Sequence, residues 1–108
     1  MSRILLELKG VGRVGTAAIS PAGEVQVESA DRLLGPLLAK EIRALIQEGP
    51  LLERSGEEQT LPDGSRRFVT TARVCQPGEP AYHRALAQRI GFSAIRVRDH
   101  RLLAHVED

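Results

Sequence analysis

Gly10-Val11-Gly12-Arg13-Val14-Gly15 spells G-x-G-x-x-G straight after an alternating apolar segment. In dinucleotide folds this spacing lets the backbone approach a pyrophosphate, and Glu28 and Asp31 lie about where a ribose-binding acid is wanted. That chemistry also needs a helix of several turns opening at the last glycine, with its first amides facing the phosphates. Here Thr16-Ala17-Ala18-Ile19-Ser20 runs into Pro21-Ala22-Gly23, which leaves no room for one, and no second apolar parallel strand follows. The glycines therefore read as a bend or bulge in a hairpin, and no cofactor is expected.

Cys75, His83, His100 and His105 are the ligand and nucleophile types present. Zinc sites show paired C-x₂₋₄-C or H-x₃₋₅-H ligands with a second such pair, and only His100 and His105 fall in that spacing, flanking a turn on different faces. Cys75 as a nucleophile needs a histidine beside it and a group to orient that histidine. Glu41 falls within the apolar arc of the longest helical segment, where burial would raise its pKa and make it a general acid or base. The plainer reading is a rim residue whose stem covers apolar surface while its carboxylate reaches water. A small enzyme centred on Glu41 or Cys75 thus ranks third among the functions the sequence allows, and the chain is more readily read as no enzyme.

Arginine is the remaining chemistry. The chain has 13 Arg and two Lys, unevenly placed: residues 1–63 carry a net charge of −3 and residues 64–106 a net +6. Strand alternation puts Arg67 and Arg73 on one face of their segment, and Arg96 and Arg98 on one face of theirs. If both faces belong to one sheet surface, these four arginines could track nucleic-acid phosphates. No aromatic residue shares that face to stack bases.

Elements that must position these groups follow from periodicity. With no Trp, one Tyr and two Phe, aliphatic residues build the core of what reads as one domain spanning 1–108. Asp31 to Glu48 has the longest helical period: Leu34, Leu37, Leu38, Ile42, Leu45 and Ile46 share one side, and Gly49-Pro50 ends it. Pro36 favours a short opening turn followed by a main helix. Ala81 to Ile90 reads as a second helix closed by Gly91, with Tyr82, Leu86 and Ile90 inward. Strands are expected at Ile4–Leu8, Val14–Ser20, Glu24–Glu28, Leu52–Thr60, Arg66–Cys75, Ser93–Arg98 and Leu102–Val106. The fold class is α+β: a two-layer sandwich, a mainly antiparallel sheet with two helices packed on one face, in β-ββα-ββα-ββ order.

Such a sheet leaves its other face open, with Glu24 and Glu28 from the first half opposing Arg67, Arg73, Arg96 and Arg98 from the second. A surface divided by sign suits a two-fold contact. The leading expectation is a non-catalytic protein–protein interaction module, a homodimer or a small accessory subunit of a larger assembly. The alternative is a nucleic-acid-binding protein using the arginine face. A lone cysteine and an N-terminal apolar run of three point to a cytoplasmic protein with no membrane partner.

Overall fold

The computed structural model describes residues 2–107. Its elements are β1 (Arg3–Leu8), β2 (Gly12–Ile19), β3 (Val25–Glu28), α1 (Leu34–Gln47), β4 (Leu52–Thr60), β5 (Arg66–Val74), α2 (Pro80–Ser93), β6 (Arg96–Val97) and β7 (His100–Glu107). The α+β class and the element order are those expected from the sequence. All strand pairs are antiparallel, but they form two sheets: a five-stranded sheet in the order β3-β2-β1-β7-β6, and a separate β4-β5 hairpin.

Alternation in β1 explains the layer. Ile4, Leu6 and Leu8 are buried, while Leu5 and Glu7 face the open side. Opposite the buried three, α1 contributes Leu34, Leu38, Ile42 and Leu45, and α2 contributes Ala81, Tyr82, Leu86, Ala87 and Ile90 to one continuous core. Leu37, placed on the apolar side by periodicity, is 46% exposed; it lies at the edge of the arc. Pro36 sits in the first turn of α1, where a missing N–H breaks no helical bond. Asp31 organises the entry: its Oδ1 accepts from the N–H groups of Leu33 (2.9 Å) and Leu34 (3.1 Å).

The glycine run is a hairpin. The Val11 N–H donates to the Leu8 carbonyl (2.9 Å), and Gly10, at φ +84°, takes the left-handed position of that turn. Register then slips from Leu6↔Gly15 to Glu7↔Arg13, leaving Val14 as the extra residue of a bulge. Thr16 to Ile19 pairs with Val25 to Glu28, as the Pro21-Ala22-Gly23 turn predicts. Gly15 is set by close approach, since a Cβ there would stand 2.5 Å from the Glu28 carbonyl oxygen. Gly15→Ala is expected to lower stability by about 1–3 kcal/mol, the usual cost of overpacking against backbone. An unchanged urea midpoint would refute that close approach.

The second helix departs from its expected bounds. It continues through Gly91 to Ser93 and stops at Ala94, in the left-handed conformation at φ 53°. A helical glycine costs only about 1 kcal/mol, and the Ser93 hydroxyl bonds back to the Ile90 carbonyl (2.7 Å). The strand expected at Ser93–Arg98 therefore shrinks to Arg96–Val97. Arg98 and Asp99, both at positive φ, form the two-residue turn into β7. Between the helices, Arg89 of α2 donates to the carbonyls of Leu45 (3.0 Å), Gly49 (2.7 Å) and Pro50 (2.8 Å). The Leu45 carbonyl also accepts from the Glu48 N–H at the C-cap (3.3 Å), so Arg89 ties down both the last turn of α1 and the chain just past it.

Candidate functional site

The β4-β5 hairpin leaves the body as an arm. Nine rungs, Leu52↔Val74 to Thr60↔Arg66, extend it by about 30 Å at the usual rise per residue. That length accounts for molecular dimensions of 62 × 32 × 25 Å. One arm face carries Arg54, Gly56, Glu58 and Thr60 beside Arg66, Phe68, Thr70 and Ala72; the other carries Ser55, Glu57 and Gln59 beside Arg67, Val69 and Thr71. Neither face is covered, and Phe68 is 78% exposed.

At its root the arm is latched by charge. Arg73 Nη2 lies 2.8 Å from Glu53 Oε2 and 2.6 Å from Glu79 Oε2, and Arg84 of α2 adds a 3.5 Å contact to Glu53. Hydrogen bonding to Arg73 holds the Glu53 and Glu79 carboxyls below their ordinary range, and the same bonds raise the Arg73 pKa. The sign follows: the latch is whole at neutral pH and is lost only in acid, as pH falls through the lowered carboxylate values. All of these groups face solvent, so the latch positions the arm more than it stabilises the fold.

Beside the root runs a cleft of about 670 Å³ between Leu51–Arg54 and the outer side of α2, where Arg84, Gln88 and Phe92 follow one another at helical spacing. A second cleft of about 670 Å³ lies on the other side of the same three residues, against Arg101, Ala104 and Val106 of β7. Phe92 is 89% exposed between them. At the far end of the body a smaller cleft, about 360 Å³, is lined by Leu8, Val14, Leu34, Arg13 and His100. Its rim is bridged by Arg98 and Asp31 (2.9 Å), and hydrogen bonding to Arg98 holds the Asp31 carboxyl below its ordinary range.

The structure divides the residues expected to share one surface. Arg67 and Arg73 lie on the arm, Arg67 donating through Nε to Gln59 (3.0 Å). Arg96 and Arg98 lie at the β6–β7 turn, where Arg96 donates to the Asp99 carbonyl (3.4 Å). Glu24 and Glu28 lie at the opposite edge of the five-stranded sheet, both exposed. By register Glu28 shares the sheet's open face with Thr16 and Leu5, alongside Glu7, Ala18, Leu103 and His105. One surface divided by sign does not form, because the hairpin carrying Arg67 and Arg73 is outside the main sheet.

Other sequence candidates have structural surroundings. Cys75 is 3% exposed within the core. His83 is buried, its Nε2 accepting from the Ile19 N–H (3.2 Å) and its Nδ1 placed to donate to the Glu79 carbonyl (3.3 Å). Glu41 is half-buried on α1. Among the described residues no three His, Cys, Asp or Glu side chains are grouped to hold a metal ion. No helix of these residues is long and apolar enough to cross a membrane. Sequence reasoning missed Phe68 and Phe92 as surface residues, the only local signals being Arg67 before the one and Ser93 after the other. No protein-family model matches the chain, and neither curated proteins nor solved structures yield a match.

Proposed function

We propose that this chain is a non-catalytic protein–protein interaction module, working as a homodimer or a small accessory subunit, with the arm as its contact element. The observation that carries the reading is a nine-rung hairpin exposed on both faces, with Phe68 in the open. A two-stranded ribbon with no layer against it is marginally stable in water. Its two unpaired edges are templates for further strand pairing. Exposed ion pairs such as Arg66–Glu58 (3.3 Å) add too little to change that balance. A covering partner supplies the missing layer.

Charge favours a protein over a polyanion as that partner. Between Glu53 and Arg73 the arm carries four acidic residues, Glu53, Glu57, Glu58 and Asp63, and four arginines, Arg54, Arg66, Arg67 and Arg73. A balanced element suits a second copy of itself, whereas a phosphate backbone meets repulsion from half of it.

Sedimentation velocity on the purified chain at tens of micromolar is the test. The expected species has twice the 11.8 kDa chain mass. A monomer that binds duplex DNA or RNA, with affinity falling steeply as salt rises, would replace this reading with phosphate recognition, since counterion release gives a log–log slope of about −0.9 per phosphate contacted.

A further inference from the structure

We infer that, in the homodimer, β5 of each copy's arm adds as a strand to the free edge of β7 in the other copy, beneath Phe92. The inference rests on the dimer reading above and names the surface that receives the arm.

The free edge follows from the ladder. β6 covers only His100 and Arg101 of β7. The Leu102 N–H points outward, to the Ile95 carbonyl (2.8 Å), whereas the Arg101 carbonyl points inward, to the Lys9 N–H (2.9 Å). Antiparallel alternation then directs the N–H and C=O groups of Ala104 and Val106 outward, where no further strand is paired among the described residues. Adding a strand at such an edge is a standard mode of recognition.

Edges are ordinarily protected by charge, proline or brevity, and that rule selects the pair. β3 is four residues long, with Gln26 and Glu28 outward and Glu24 just ahead of it. β4 is guarded by Glu57 and Glu58. Two edges lack such protection: Leu102–Val106 of β7, and Phe68-Val69-Thr70-Thr71-Ala72 of β5, which has neither charge nor proline. The first lies along a cleft of about 670 Å³ with an exposed aromatic ring at its border, and the second carries one. Arg84 and Arg101 on that cleft also complement Glu57 and Glu58 on the strand paired with β5. A two-fold axis forms the contact twice, so neither arm remains uncovered.

The test is a cross-linking map. Phe68 is replaced by photoreactive p-benzoylphenylalanine, and this chain is mixed with isotopically heavy wild-type chain and irradiated. The expected heavy partner peptides come from residues 84–92 and 101–106. Cross-links confined to the heavy chain's own arm or to its open sheet face, with the dimer intact, would overturn the docking site and leave the dimer reading standing. A species that sediments as a monomer would overturn both. Ala104→Pro gives an independent readout: its N–H points off the edge, a position where proline is tolerated. Dimer dissociation is expected to become at least about tenfold easier, a change of roughly 1.4 kcal/mol. A folded Ala104→Pro chain that dimerises like wild type would refute the strand addition.

Discussion

Replacing Arg54–Ala72 with a short Gly-Ser turn is expected to yield a folded monomer. Leu51 and Cys75, on either side of the arm, are its nearest core residues, and no residue between them belongs to the core. The deletion keeps Glu53 and Arg73, hence the contacts to Glu79 and Arg84 that anchor the root. Closing a shorter loop costs the chain little, because closure entropy changes only slowly with loop length. The body should therefore unfold in urea as one cooperative transition, with a smaller slope reflecting the smaller surface exposed. Sedimentation should drop from dimer to monomer at the same concentration. A dimer that survives excision would move the interface to the body and remove the arm from the function. A body that fails to fold would make the arm part of the fold.

Leu45→Ala is expected to cost about 2–5 kcal/mol, the range for emptying a buried leucine site. Leu45 is 3% exposed among the core residues of α1, and its carbonyl accepts one of the three Arg89 bonds that tie the helices together. Against a typical total of about 5–15 kcal/mol, that loss is visible in any urea titration. Leu45→Met, which conserves volume, should cost less than about 1.5 kcal/mol. Leu37→Ala is the contrasting case: at 46% exposure it should stay within about half a kcal/mol. Equal losses at Leu45 and Leu37 would mean that α1 is rotated about its axis relative to this structure.

Those two leucines mark how far periodicity carries. The 3.6-residue repeat places Leu34, Leu38, Ile42 and Leu45 correctly, because a helix face is a local property of the chain. It has no access to what covers the helix, so it does not separate Leu37, at the border of the arc, from the buried four. The glycine run was legible for the same reason. An alternating strand before it and Pro21-Ala22-Gly23 after it leave only a hairpin, and the bulge at Val14 follows from the extra residue. Gly91 misled because glycine ends helices more often than it continues them, whereas this one lies inside α2 at a modest local cost. The three carbonyls held by Arg89 and the Ile19 amide held by His83 join residues far apart in sequence, and no local pattern announces them.

By itself the sequence determined the α+β class, the order of the elements, the glycine hairpin and the inner face of each helix. Each rests on spacing within a few residues. Only the tertiary structure decided that β4 and β5 stand apart as an arm, and that Arg67 and Arg73 are separated from Arg96 and Arg98. Alternation states which residues share a face of a strand, but it is silent on whether another layer meets that face. Pairing of β1 with β7 joins the two ends of the chain and completes the main sheet without the central hairpin, leaving Phe68 in the open on a strand whose alternation looks half-buried.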